Sequence, residues 1–318
     1  MSRENIKVDE IFITGDFRHA GIQKEEAKFE NYAKDIIDFV LKLSDAVGIV
    51  DTAHIHIIQG NHDKVRDEKN KKRLNEIKNN YNPMKGTLDT EDIKFLNSQF
   101  LFFDIIYKTL YGKDNPQDLD KIHSYEKLDG KCRLIKMNTA IMHNSDEDRG
   151  QLIIGNDQLD LIFEEAAADD VNLPIIVLAH HPLKYFQEDE REAVVEIFKE
   201  YKPWLYLCGD EHRPSVHKIE NTIEVTMGCQ KLEEGRTKPS ILFGDTETNE
   251  FRAFHWVDEW EPYAEVNREL TDYLTPETID TLNDFIQELQ EQLGMMVPEN
   301  LIKEYEGRFI RINRNMVR

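Results

Sequence analysis

The sequence is poor in cysteine and in positive charge, and both deficits exclude classes of protein. Cys132, Cys208 and Cys229 are an odd number at wide spacing, so neither a disulfide framework nor a Cys-x-x-Cys site is indicated. Forty Lys and Arg residues stand against sixty-two Asp and Glu, which gives a formal net charge of −22. Non-specific binding to duplex nucleic acid depends on cationic side chains that displace counterions, so a long duplex is not expected as a partner.

Long apolar segments are also lacking. No run approaches the ~18 consecutive apolar residues of a membrane span. The first ten residues, MSRENIKVDE, do not contain the apolar core of a signal peptide. We therefore expect a cytoplasmic protein in a reduced compartment, without a membrane partner. The sequence does contain enough apolar residues, 40% of 318, to bury a sizeable core.

Four short apolar runs, separated by helical patterns, each end in polar residues. These ends are GD (15–16), GNHD (60–63), HH (180–181) and GDEH (209–212). Ligands bind at the carboxyl ends of the strands in parallel α/β sheets, so we expect these side chains to converge. Asp, Asn and His donors suit Mn, Fe or Zn rather than Ca or Mg. The pattern indicates a two-metal hydrolytic centre, in which ions about 3.5–4 Å apart hold the attacking and departing oxygens.

The ordered series ITGD (13–16), QGNHD (59–63), LAHHP (178–182) and CGDEH (208–212) resembles the calcineurin-like metallophosphoesterases, over about residues 9–257. The resemblance implies an α/β fold, a four-layer α-β-β-α sandwich of two mixed sheets. It also implies that a metal-bound hydroxide hydrolyses a phosphoester. We interpret the substrate as a phosphodiester, either a small molecule or a nucleotide.

The resemblance assigns metal ligands residue by residue. Asp16 would bridge two divalent ions, and Asn61 and His180 would bind the second of them. His212 would bind the first ion. Asp210 stands where the family has histidine, and its carboxylate could still bind a metal through oxygen, as a harder and negative ligand.

Two further residues of the GNHD motif would act in catalysis. By the resemblance, His62 would contact the scissile phosphate and protonate the leaving oxygen, and Asp63 would orient the imidazole of His62. His181 is expected to face the substrate or to pack. His54 and His56 alternate on the second strand and are interpreted as structural.

One family motif has no counterpart here. The family begins with Asp-x-His on a strand upstream of the GD motif, whereas the residues before Asp16 contain no histidine. The native gene starting upstream, one tight and one loose metal, and a degenerate protein that binds without turnover are three explanations. We favour the first, because losing a central strand leaves a long unpaired edge, and residues 1–9 are too short and polar to replace it.

The chain divides into a predicted phosphoesterase domain, 1–257, with a helical insertion at 64–130, and a helical C-terminal extension, 258–318. A helical pattern over 276–293 is expected to pack within the chain, with a dimer seam as the alternative, and the basic tail 308–318 is predicted to fray. Two other functions remain open. One is a binding or regulatory module without the dinuclear centre, and the other is a nuclease acting on short or single-stranded nucleic acid.

Overall fold

The computed structural model describes residues 7–17, 29–65, 68–82, 88–113, 120–128, 130–211, 213–228, 240–246, 250–256, 260–273 and 310–315. The strands are β1 (Lys7–Ile13), β2 (Ile55–Ile57), β3 (Ser124–Leu128), β4 (Cys132–Met137), β5 (Ile175–Ala179), β6 (Leu205–Cys208), β7 (Ser215–Ile219), β8 (Thr222–Thr226), β9 (Ser240–Asp245), β10 (Glu250–Trp256), β11 (Trp260–Pro262) and β12 (Ile310–Asn315). The helices are α1 (Phe29–Ala46), α2 (Glu68–Asn80), α3 (Thr90–Asn97), α4 (Leu101–Tyr111), α5 (Asn156–Ala167), α6 (Glu188–Tyr201) and α7 (Ala264–Tyr273).

The strands form two six-stranded mixed sheets. The first has the order β11-β10-β9-β12-β1-β2, and the second has the order β3-β4-β5-β6-β8-β7. In the second sheet β4, β5, β6 and β8 are parallel neighbours, and β3 and β7 pair antiparallel at the two edges.

Alternating side chains place the sheets face to face between helices. On β1, Ile11 and Ile13 pack in a core with residues of α1 and α4, and Phe12 packs in a second core shared with β5 and β6. On β5, Val177 lies in a third core with residues of α5 and α6, and Leu178 lies between the sheets. Successive strand residues point to opposite faces, so each central strand is covered on both sides. This is the predicted four-layer α-β-β-α arrangement.

The prediction that the basic tail frays is wrong for residues 310–315. These residues form β12, which pairs antiparallel with β1 (Ile11 opposite Ile312) and parallel with β9 (Ile312 opposite Phe243). Backbone pairing on both sides of β12 explains why this polar segment is ordered as a strand. β12 also covers the edge of β1 that the sequence analysis expected to be unpaired. The argument from an exposed edge therefore no longer supports an upstream strand.

The two predicted helical regions are partly strands. Three helices, α2 to α4, follow the second motif, and α4 packs on α1. The end of the predicted insertion range, however, is β3, an edge strand of the second sheet. In the C-terminal region the described residues contain β11 and β12 beside α7. The helical pattern at 276–293, with its possible dimer seam, lies outside the described residues. None of the helices that the structure describes is long and apolar enough to span a bilayer.

Candidate metal centre

Two Gly-Asp turns carry the carboxylates of the site. Asp16 follows β1 and Asp210 follows β6, with φ angles of 60° and 62°. Residues other than glycine rarely adopt this left-handed conformation, although Asp tolerates it better than most. Each such residue costs of order 1–3 kcal/mol, and the surrounding structure must hold it in place. Both carboxylates are buried, Asp16 completely.

Glycine is required where the loops after β1 and β2 meet. A Cβ atom at Gly60 would lie 2.0 Å from Asp16 Oδ1, and one at Gly15 would lie 2.7 Å from the Gly60 backbone nitrogen. Gly15 also has a φ angle of +91°. Any side chain at either position would push the two loops apart, so the glycines of both motifs have a steric reason.

The Asp63 carboxylate ties these two loops together. It accepts hydrogen bonds from the backbone N–H groups of Asp16 (3.0 Å), Phe17 (2.7 Å) and Gly60 (2.8 Å). A buried carboxylate that accepts several N–H groups stabilises the backbone around it. This contact set was not expected from the sequence. The predicted role of Asp63 in orienting the His62 ring stays a prediction.

His180 lies at the centre of the converging side chains. Its Nδ1 lies 2.6 Å from the carbonyl oxygen of Thr14. A carbonyl oxygen only accepts, so Nδ1 carries the proton and the ring is held with Nε2 facing the other loops. Nε2 lies 3.0 Å from Asn61 Oδ1, 3.3 Å from Asp16 Oδ1 and 3.5 Å from Asp210 Oδ1.

The three distances from His180 Nε2 to these oxygens are those expected between neighbouring ligands of one divalent cation. Ligand atoms about 2.1 Å from one ion lie about 3.0–3.4 Å from each other at adjacent positions. Burial lowers the pKa of His180, but the carboxylates of Asp16 and Asp210 outweigh it and raise that pKa to about 10. The site therefore favours a positive charge among these groups, which either a proton or a metal ion supplies. We call Asp16, Asn61, His180 and Asp210 the ligand cage.

A second group of polar side chains flanks the cage. Ligand atoms of His180, His181 and Asp210 lie within 4.8 Å of one another. The Nε2 atom of His181 is buried and has no hydrogen-bond partner among the described residues. Burial and the neighbouring His180 lower the pKa of His181 to about 3, so its ring is neutral and can offer a lone pair. The ring of His143 stacks on that of His181, with centroids 5.3 Å apart.

Thr139, which follows a strand of the second sheet, holds His180 and His181 in place. Its hydroxyl oxygen accepts hydrogen bonds from the backbone N–H groups of His180 (3.3 Å) and His181 (2.9 Å). The same oxygen lies 3.0 Å from His181 Nδ1. Thr139 follows the carboxyl end of β4, so a third strand of the second sheet contributes to the site.

The profile of the family described as calcineurin-like phosphoesterase matches residues 2–214. The chain belongs to this family. The resemblance seen in the sequence is thereby confirmed. Among curated proteins, the chain is similar to "Uncharacterized metallophosphoesterase-like protein YydB" of Bacillus subtilis (strain 168), with 24% identity over 281 residues, which are 84% of this chain and 55% of that protein. The chain thus spans about half the length of this relative.

Solved structures of phosphatases are also similar. A dimetal phosphatase from Danio rerio is 8% identical, with 80% of this chain and 96% of that chain covered and a TM-score of 0.36. Purple acid phosphatase PPD1 from yellow lupin seeds is 12% identical, with 87% and 58% covered and a TM-score of 0.35. Both scores are low, so the family assignment rests on the profile match.

In this member of the family, the structure brings together most of the residues singled out from the sequence. The ligand cage comes from the ends of β1, β2, β5 and β6. His62 lies beside it, with its backbone N–H donating to Asp16 Oδ1 (2.9 Å) and its Nε2 3.8 Å from Asp16 Oδ2. His212 lies outside the described residues.

Three residues near the cage were missed by the sequence analysis, namely Thr139, His143 and Arg149. All three follow β4. The signal that identified the other strand ends, polar residues directly after an apolar run, was present at Asn138-Thr139.

Proposed function

We propose that this chain is a metal-dependent phosphoesterase that hydrolyses a phosphodiester in a small molecule or nucleotide. The observation that carries the proposal is the position of His180 Nε2 within 3.5 Å of oxygens from Asn61, Asp16 and Asp210. A divalent cation bound there would supply a water-derived nucleophile near neutral pH and would neutralise charge on a phosphoryl oxygen. The ligand cage would hold this ion, and Asp16 would share a second one.

His62 is suited to assist the leaving group. Its side chain is 11% exposed at the margin of the cage, whereas the side chains of Asp16 and His180 are fully buried. The hydrogen bond from its backbone to Asp16 fixes the residue relative to the cage. An imidazole in this position can donate a proton to the departing oxygen, a contribution of about 10²–10⁴-fold in rate.

The charge of the site favours a diester over a monoester. The carboxylates of Asp16 and Asp210, which belong to the ligand cage, and of Asp63, which binds the Asp16 backbone N–H, are all buried. A phosphodiester brings a single negative charge to this region, whereas a monoester brings about −1.5 to −2 at neutral pH. Less added positive charge is therefore needed to hold a diester beside these carboxylates.

Manganese binding and turnover of a chromogenic phosphodiester test the proposal. We would compare the wild-type chain with Asp16→Ala and His62→Ala, and use His217→Ala as the control because His217 is an exposed histidine of the edge strand β7. Asp16→Ala should lose manganese binding and turnover. His62→Ala should keep manganese binding and lose turnover by about 10²-fold or more.

Equal turnover in the wild type and both site variants would refute the residue assignments. Manganese binding without turnover in the wild type would instead support a binding or regulatory module. A protein that binds no manganese at saturating metal would refute the metal centre itself.

A further inference from the structure

The guanidinium of Arg149 reaches from solvent to the edge of the ligand cage. Its Nη2 lies 3.4 Å from Asp210 Oδ2, and the other oxygen of that carboxylate, Oδ1, lies 3.5 Å from His180 Nε2. The Arg149 side chain is 53% exposed, whereas that of Asp210 is only 5% exposed. One end of the guanidinium thus faces a proposed metal ligand while much of the side chain remains accessible.

Contacts independent of Asp210 hold Arg149 in this position. Its Cζ lies 5.0 Å from the centre of the Tyr185 ring, within cation–π range. The backbone of the same loop is joined to the loop after β5, because Leu152 N–H donates to the Tyr185 carbonyl at 3.0 Å. On its other side, Asp148 pairs with Lys78 of α2 at 2.8 Å. The arginine would therefore stay at the cage if its contact with Asp210 were given up.

The contact with Asp210 is itself a weak one. Charge-assisted hydrogen bonds in proteins are about 2.7–2.9 Å long, and half-exposed ion pairs contribute only about 0–1 kcal/mol. A cation in the ligand cage would also neutralise much of the Asp210 charge that attracts Arg149. The ion pair with Asp210 therefore contributes little to the stability of the fold.

The net charge of a metal-loaded ligand cage gives a reason for the position of Arg149. The two negative charges of Asp16 and Asp210 cancel the charge of one divalent cation, and a neutral His180 adds no charge. A phosphodiester anion beside a cage that holds this one ion would then meet no net positive charge without a further cation, either a second metal ion or a cationic side chain. Arg149 is the arginine beside Asp210 in the structure, and its planar guanidinium can donate two parallel hydrogen bonds to phosphoryl oxygens.

We propose that Arg149 binds the phosphoryl group of the substrate beside the metal ion and positions it for hydrolysis. The phosphoester identity of the ligand rests on the proposed function, but the binding of a phosphate anion can be measured without turnover. Arg149 is then a substrate-binding residue that joins the ligand cage and His62.

Inorganic phosphate binding to the manganese-loaded protein tests the proposal by calorimetry. Arg149→Ala should weaken phosphate binding by about 10–100-fold and leave manganese affinity undiminished. Arg149→Lys should restore only part of the phosphate affinity, since an ammonium lacks the planar fork. Arg73→Ala is the matched control, because it removes the same charge from a side chain that is 46% exposed on α2. It should leave phosphate binding unchanged.

Unchanged phosphate affinity in Arg149→Ala would overturn the proposal. So would a parallel fall in manganese and phosphate affinity, which would mean that Arg149 only supports Asp210, and so would a manganese-loaded wild type that binds no phosphate. Failure of the proposed function looks different. A wild type that never turns over a diester but loses phosphate binding in Arg149→Ala would refute hydrolysis and support the role of Arg149.

Discussion

The two sheets supply the metal centre in different ways. In the second sheet, His180 and Asp210 follow β5 and β6, which are parallel neighbours in both sequence and space. In the first sheet, Asp16 and Asn61 follow the parallel pair β1 and β2, but the other side of β1 is filled by the antiparallel β12. Both halves of the site therefore come from local strand–helix–strand units. The half from the first sheet also depends on pairing between residues 7–13 and 310–315.

Breaking β12 should have the largest effect. Ile312→Pro removes a backbone N–H from a strand with neighbours on both sides and should cost about 3 kcal/mol or more of unfolding free energy. Manganese affinity should fall with it, because β1 carries Asp16. Denaturant unfolding and calorimetry measure the two effects.

Lys218→Pro on β7 is the control for this variant. In the same edge strand, the Val216 N–H donates to Glu269 rather than to β8, and Lys218, two residues on, shares its direction. Loss of the Lys218 N–H should lower the unfolding free energy less than loss of the Ile312 N–H. Equal stability of Ile312→Pro and wild type would contradict the pairing of β12.

The second largest effect should be a difference in stability between variants of the two side chains that hold the site loops, Asp63 and Thr139. Asp63→Ala leaves three buried backbone N–H groups without their carboxylate and should cost about 2–3 kcal/mol. Thr139→Ala removes a neutral acceptor of two N–H groups and should cost about 1 kcal/mol. Denaturant unfolding compares them. A larger loss for Thr139→Ala would contradict the view that the first sheet needs the stronger anchor.

The smallest expected effect is a pH-dependent difference in how two buried glutamates, Glu10 and Glu224, affect the stability of the fold. Burial raises the pKa of Glu10 on β1, but hydrogen bonds from His56 and Lys131 outweigh it and hold that pKa below its usual value. Burial raises the pKa of Glu224 on β8 to about 7, although the Leu183 N–H donates to it. The ionised carboxylate thus stabilises the fold at Glu10 and destabilises it at Glu224.

Glutamine substitution separates these cases. At neutral pH, Glu10→Gln should lower the unfolding free energy by about 1–2 kcal/mol, an effect that shrinks as pH falls below the ordinary glutamate pKa. Glu224→Gln should raise it by about 1–2 kcal/mol above pH 7, and the gain should shrink towards the ordinary glutamate pKa and disappear below it, where the carboxyl is protonated in both states. Thermal unfolding between about pH 3 and pH 8 measures both. A stabilising Glu10→Gln would contradict the assignment.

His54 and His56 show what the alternation of residues along a strand can and cannot predict. The sequence predicts a structural role for both, and the structure places them against Glu10, at 3.1 Å and 2.7 Å. His56 is buried, whereas the side chain of His54 is 44% exposed, so the two histidines lie in different environments. A partner 46 residues away in the chain cannot be read from a local pattern.

By itself, the sequence determined the fold class, the order of the motifs and which four residues form the ligand cage. Apolar runs that end in Gly, Asp, Asn and His are local features, and parallel strands bring their ends together wherever they occur. Only the tertiary structure decided that β12 lies beside β1, that Asp63 binds three backbone N–H groups, and that Arg149 meets Asp210. Apart from the bond between Asp63 and Gly60, these contacts join residues far apart in the chain, and they depend on packing and backbone pairing that no local spacing encodes.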